Sequence, residues 1–426
     1  MKKVISLLLA AIMLIGCMAT LAACGGNGGE EGGNDEPELK GLGASPLPAA
    51  TLKADFQVPD DFKIGFIFLH DEKSTYDANF MNAAKEVKEL LGLTDSQCIM
   101  RYPINEEEEC PEAAEYLAEQ GCKIIFADSF GHENGLLEVA AKYPEIQFCH
   151  ATGTRAHTCN LPNMHNAFAN IYEGRFLAGI AAGMKLNEMI KAGTVTEDKA
   201  VIGYVGAFPY AEVVSGFTSF FLGARSVCPS ATMKVNFTNS WFDVDKERQN
   251  ALALINDGCV LISQHADSMG APSACEENGV PNVSYNGSTY EDCPESFIVS
   301  SRIDWAPYFL YIIDCVVNGK EIAVDWCGGL NEGSVVLSDI NLDVAAEGTT
   351  EAITKAIADL KAGKLHVFDT STFTVNGAAV TTYLADVDDM GDYVGETEVI
   401  KDGYFAESEF RSAPYFDLAI DGITRQ

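Results

Sequence analysis

Between Ala200 and Ser288 the chain repeats one pattern four times. A short apolar run ends in small, polar or aromatic residues, and a segment of helical period follows. The runs are Val201–Phe208 (VIGYVGAF), Ala231–Phe242 (ATMKVNFTNSWF), Cys259–Ser268 (CVLISQHADS) and Val280–Ser288 (VPNVSYNGS). Strands that alternate with helices build a parallel sheet covered by helices. Because such sheets bind ligands at the carboxyl ends of their strands, these four run ends are where function is expected. Phe208 and Pro209 tip the first run, and Gln264, His265 and Asp267 close the third.

The same rhythm precedes this stretch. Phe62–Leu69 (FKIGFIFL) reads as a buried strand with the tail His70–Phe80, followed by a helix from about Asn79 to Leu91. A strand near Cys98–Tyr102, a helix from Pro111 to Gln120, a strand Lys123–Ala127, a helix Glu133–Lys142 and a strand Glu145–His150 complete a second α/β half. The acidic run Glu106–Glu109 between them reads as a solvated loop. A long helix opens at Asn170, where the chain is expected to cross between halves. Ser296–Ser300 reads as a strand returning to the first half, followed by an aromatic-rich helix Asp304–Val317. A third crossing is expected near Cys327–Ser338, loosened by Gly328, Gly329 and Gly333, with a last helix at Thr349–Ala362. Beyond Leu365 two hairpin signals, Asn376-Gly377 and Asp402-Gly403, mark a strand-rich segment. The expected organisation is one lobe from residues 59–169 plus 289–325, a second from 170–288 plus 326–365, and a strand-rich extension, 366–426, packed on both.

Residues 1–23 read as a secretory signal. Lys2 and Lys3 precede the apolar run Val4–Ile15, which is too short to span a bilayer, and Leu21-Ala22-Ala23 leads to Cys24. That pattern resembles a bacterial lipobox, with diacylglyceryl attachment at Cys24. Leu14-Ile15-Gly16-Cys17 fits as well, but the Gly-rich acidic tract after Cys24 makes a natural tether across residues 24–58. The expected location is extracytoplasmic, on the membrane through the lipid.

Charge narrows the choice of partner. The chain carries 62 acidic against 28 basic residues, a net charge of −34, so nucleic acid is excluded as a partner, since phosphate binding needs clustered Lys and Arg. Hydrophobic residues make up 47%, as suits a globular protein. Of the 13 cysteines, those after Cys24 are scattered singly with no CxxC pair. Cys122, Cys259 and Cys315 lie in apolar runs and read as small buried hydrophobes; free thiols outside the cell point to an anaerobic habitat, and disulfides remain an alternative. The cluster Cys149, His150, His157 and Cys159 matches no standard metal spacing, and neither metal nor cofactor is expected. No GxxxxGK[ST] loop, GxSxG elbow or HExxH pair occurs in the sequence, so the chain reads as neither an ATPase nor a hydrolase.

IGYVGAFPYAEVVSGFTSFFLGARSVCPSATMKVNFTNSWFD, followed by KERQNALALINDGCVLISQHADS, is similar to the basic membrane protein family. FADSFGHENGLLEVAAKYPEIQFCHATG, YEGRFLAGIAAG and GGLNEGSVVLSDIN extend the resemblance over roughly residues 60 to 365, in family order. These are substrate-binding lipoproteins of ABC transporters, among them purine nucleoside receptors. The resemblance implies a type I periplasmic-binding-protein fold: two doubly wound α/β domains joined by three crossovers, with the ligand in the cleft between them. It further implies a purine nucleoside or nucleobase ligand, stacked between aromatic rings, and a separate ABC permease as partner. A flavin-like heterocycle, or a sensing role beside a membrane signalling partner, is the alternative.

Carried onto this chain, the first stacking aromatic is Tyr76, and the second is Trp241, which could instead be a core residue beside Phe242. Asp128 and Ser129 are the expected polar contacts of the first domain, or caps of the helix that follows them. Asn286 stands where many relatives carry an acid that holds the ribose or base edge; an amide there can donate as well as accept. Trp305 is expected either in the cleft or in the packing beneath it.

Overall fold

The computed structural model describes Leu52, residues 56–387 and residues 394–426. The expected signal, the lipidated Cys24 and nearly all of the tether lie outside the described residues.

Strands β1 (Ile64–Ile67), β2 (Cys98–Arg101), β3 (Ile124–Ala127), β4 (Gln147–Ala151) and β5 (Met164–Ala169) belong to a first sheet. Strands β6 (Val201–Gly206), β7 (Thr232–Phe237), β8 (Leu261–His265), β9 (Asn282–Tyr285) and β10 (Phe297–Ile303) belong to a second. Between them in sequence run helices α1 (Thr75–Leu91), α2 (Glu109–Glu119), α3 (His132–Ala140), α4 (Ile171–Lys191), α5 (Ala211–Val227), α6 (Val244–Asn256) and α7 (Gly270–Asn278). Helix α8 (Ala306–Val317), strands β11 (Asp325–Gly328) and β12 (Val335–Leu337) and helix α9 (Thr349–Lys361) follow. The first sheet has the order β11-β5-β4-β3-β1-β2.

The unbroken apolar runs are explained by helices on both faces of each sheet. In β1 and β3, Ile64, Phe66, Ile124 and Phe126 turn to one cluster, shared with Phe80 of α1 and Phe309 of α8. Their neighbours Ile67, Ile125 and Ala127 turn to the other, with Leu117 of α2 and Leu136 of α3. The period-two alternation of a strand thus feeds two cores at once. In the second sheet Ile202 and Tyr204 meet α4 and α5, while Val205 and Ile262 meet α6 and α7. Helices α4 and α5 touch backbone to backbone. A Cβ on Gly179 would stand 2.0 Å from the Phe220 carbonyl oxygen, and one on Gly223 2.0 Å from that of Phe176; only glycine permits this approach.

The chain passes between lobes after β5, after β10 and between β11 and β12. The three passages are laced together: Asn170 N–H donates to Gly328 O (2.8 Å), and Asp304 N–H to Ser334 O (2.8 Å). One difference from the sequence reading stands out. Residues 296–300 were expected to re-enter the first lobe, but β10 pairs with β9 in parallel and with β12 antiparallel. Its side chains complete the second core, and α8 makes the return instead.

Among the described residues the extension carries the two-residue strands β13 (Leu384–Ala385), β14 (Thr397–Glu398), β15 (Ile400–Lys401) and β16 (Tyr404–Phe405), and then β17 (Ile423–Arg425). Both expected turns form, with positive φ at Asn376 (52°), Gly377 (77°), Asp402 (50°) and Gly403 (88°). β17 joins the second sheet beside β7, in parallel, giving the order β12-β10-β9-β8-β6-β7-β17. Arg225 also donates to Asp421 O (3.2 Å) from that lobe, while Ser412 N–H donates to Asp325 Oδ1 (3.0 Å) in β11. The extension therefore holds to both lobes.

Candidate functional site

A cavity of about 470 Å³ opens between the strand ends of the two lobes. From the first lobe it is lined by Leu69 and His70 after β1, Tyr76 and Asp77 in the first turn of α1, Ser129 and Phe130 after β3, and Thr152 and Thr154 after β4. The second lobe supplies Pro209 to Glu212 after β6, Trp241 after β7, His265 and Asp267 at β8, and Tyr285 and Asn286 at β9. Ala385, Asp386, Arg411, Ala413, Pro414, Tyr415 and Asp417 come from the extension.

The lobes are in contact across this cavity. Thr75 N–H and its hydroxyl both donate to the Asp267 carbonyl (3.0 and 3.2 Å), and Asn79 Nδ2 donates to Asn286 Oδ1 (3.4 Å). The rings of Phe130 and Tyr210 lie 5.9 Å apart, and those of His70 and Phe242 5.5 Å. This is a closed arrangement of the two-lobed fold.

Tyr76 is held by its hydroxyl, which donates to Asp128 O (2.8 Å), and by an edge-on contact with Phe80 (4.9 Å). Trp241 stands edge-on to Phe208 (4.9 Å), whose other neighbour is Tyr210, stacked at 5.1 Å. The carboxyls differ in state. Burial pushes Asp77 upward, but the His70 ring (Nδ1 3.2 Å from Oδ2), the Ser74 hydroxyl (2.5 Å) and the His70 backbone N–H (2.7 Å) outweigh it and hold the group below the usual range. Asp128 is raised by burial and then by the charge of Asp77. Asp267 is also raised, by burial first and by nearby carboxylates, and it accepts from Asn286 Nδ2 (3.1 Å). Burial and hydrogen bonding therefore drive the carboxyls here in opposite directions, Asp77 toward the charged form, Asp267 and the Asp128 behind the wall toward the neutral one.

Beneath the second-lobe wall sits Arg175, wholly buried. Its guanidinium donates to the Tyr204 hydroxyl (3.0 Å), the Ser263 hydroxyl (2.9 Å) and Ser284 O (3.2 Å), and lies against the rings of Tyr204, Phe220 and Tyr285. Tyr204 Oη is 3.4 Å from His265 Nδ1, and His265 Nε2 is 2.8 Å from Glu212 Oε1. A fixed cation thus orders the aromatic and imidazole groups that face the ligand space.

Of the sequence-predicted residues, Tyr76, Ser129, Trp241, His265, Asp267 and Asn286 line the cavity together. Asp128 lies directly behind it, fully buried. Phe208 backs Trp241 and Tyr210, and Gln264 turns to the opposite face of β8, where it accepts from Asn282 (3.0 Å). Trp305 is a core residue, 1% exposed and stacked on Phe80 at 4.4 Å. Neither Asp128 nor Ser129 caps a helix: α3 begins after Gly131 with no side-chain cap. The Ser129 hydroxyl donates instead to Glu106 (2.5 Å), a half-buried member of the acidic run. His70, Asp77, Thr152, Tyr210 and Glu212 follow strand ends and Tyr285 closes β9, so the strand-end rule covers them. No sequence signal pointed to the extension's residues. The cysteines after Cys24 are all free thiols, and no metal-holding group of side chains occurs among the described residues.

A model of the family described as "ABC transporter substrate-binding protein PnrA-like" matches residues 74–366. The chain belongs to this family. As a PnrA-like protein it is the substrate-binding component of an ABC transporter, with a small-molecule ligand and a permease partner. It is 31% identical, over 72% of its length and 83% of the relative's, to a protein of Brucella abortus named as purine-binding. It is 32% identical, over 72% of its length and 71% of the relative's, to a protein of Haloferax volcanii named as an ABC transporter glucose-binding protein. An ABC transporter solute-binding protein of Conexibacter woesei shares the fold, with a TM-score of 0.57 at 18% identity over 72% of this chain and 98% of that one. Among the described residues no helix is long and apolar enough to cross a membrane.

Proposed function

We propose that this PnrA-like protein captures a purine nucleoside or nucleobase between its lobes and delivers it to an ABC permease. The observation that carries the reading is the aromatic lining on both walls, with Tyr76 and Phe130 facing from one lobe and Tyr210, Trp241 and Tyr285 from the other. A flat heterocycle gains dispersion and desolvation between such faces. Asp77, Asp267 and Asn286 supply mixed donors and acceptors for a base edge or ribose hydroxyls. No chemistry is performed on the ligand: closure about the three passages is the functional event. Tethering through a lipid on Cys24, outside the cytoplasm, completes the reading.

Glucose is the second ligand class, favoured by the name of the Haloferax relative and by the paired acids, which suit sugar hydroxyls. A thermal-shift screen with nucleosides, nucleobases, flavins and glucose separates the two, because a ligand bound only by the folded state raises apparent stability. A purine is expected to give the largest shift. A shift from glucose alone would discard the purine reading, and steady release of a product would discard the receptor reading.

A further inference from the structure

The family match ends at residue 366, yet the cleft is finished by residues beyond it. Arg411 is the only lysine or arginine among the described residues that line the cavity. The residue is 8% exposed, and two backbone carbonyls fix the direction of its side chain: Nε donates to Ala413 O (3.2 Å) and Nη2 to Pro414 O (3.3 Å). Nη1 makes no hydrogen bond among the described residues. The segment carrying it cannot drift, since Ser412 is tied to Asp325 and β17 to β7.

The extension thus brings a group of opposite sign to an otherwise acid-lined space. The lobes contribute the carboxyls of Asp77, Glu212 and Asp267 and the extension those of Asp386 and Asp417, but the extension also supplies a guanidinium, which can only donate. We propose that Arg411 is a specificity-determining residue, reading an acceptor edge of the ligand and so selecting 6-oxopurines over 6-aminopurines. This rests on the purine reading above. A guanidinium fork matches the O6 and N7 acceptors of an oxopurine, whereas the amino group of adenine would set donor against donor. The carboxyls on the lobe side then accept from the N–H groups or ribose hydroxyls of the same ligand.

Calorimetric titration of the wild type, Arg411→Gln and Arg411→Lys with guanosine, adenosine and glucose tests this. The wild type is expected to bind guanosine at least about tenfold more tightly than adenosine, the scale of one hydrogen bond to a charged group. Arg411→Gln is expected to lose about that factor for guanosine and to hold adenosine within about threefold, which also shows that the variant is folded. Arg411→Lys, with charge but no fork, is expected to fall between. Equal affinity of the wild type for the two nucleosides, or an equal loss of both in Arg411→Gln, overturns the role of Arg411 and leaves the purine reading standing. Binding of glucose with no purine binding overturns both.

Discussion

The backbone N–H of Thr75 donates to the carbonyl oxygen of Asp267 at 3.0 Å, so the first residue of α1 is bonded to the opposite lobe. The first N–H groups of a helix have no partner within it, and here one of them serves as a latch. Proline is well tolerated at this position of a helix, and Ser74 before it is already extended (φ −73°, ψ 122°). Thr75→Pro should therefore leave α1 intact while removing both cross-cleft bonds and pressing its ring against Asp267. The variant is expected to bind ligand severalfold more weakly, because the competent state is less populated, and to give a larger ligand-free radius of gyration by X-ray scattering. Unchanged affinity and radius would mean that the latch does not control closure.

Trp241 presents its ring to the cavity from a cluster with Phe208 and Tyr210. If it stacks on the ligand, Trp241→Ala should weaken binding by about 1–3 kcal/mol, as for base–aromatic stacking elsewhere. Trp241→Phe should recover most of the loss, because it keeps a π face. Titration of a purine against the three proteins reads this directly, and wild-type affinity in the alanine variant would take Trp241 out of the site.

Glu407 of the extension sets a pH dependence. It is 2% exposed, accepts from Tyr415 N–H (2.8 Å), and burial pushes its carboxyl up to about 8. The folded state holds this proton more tightly than the unfolded chain, whose glutamates titrate near 4.5. Its stabilisation is complete below that value and drains away as pH rises through about 8. Buried His132 and His165, both lowered to about 4 chiefly by burial, act in the other direction: their contribution is lost as pH falls below about 6.5. Above about pH 6.5, where the histidine contribution is complete, the ligand-free melting temperature should therefore fall. Glu407→Gln, which stays neutral, should flatten the alkaline side of the curve; an identical alkaline slope would assign that slope to other groups.

The fold was legible because β1, β3 and β6 are apolar on both faces, a pattern imposed by helices above and below. Tyr76, Trp241 and Asn286 came from the family resemblance; the strand-end rule added Ser129, His265 and Asp267, and all six line the cavity. The rule failed at Gln264 because adjacent strand residues face opposite sides, and a run end does not say which side opens on the cleft. Of the two readings of Trp305, cleft or packing, the packing one holds: an aromatic ring just before a helix serves equally well in a core. Arg411 and Tyr415 were out of reach for another reason. Strands of two residues carry no periodicity, and where such a segment docks is decided by long-range partners such as Asp325 and β7.

The pairing of Met233 with Ile423 also sets a timetable. A chain made from its amino end completes β6 to β9 long before β17 exists, and for that interval the edge of β7 is an unpaired template for other strands. Contacts so distant in sequence form slowly, so the second lobe reaches its finished sheet late, and aggregation during synthesis or refolding should begin at that edge.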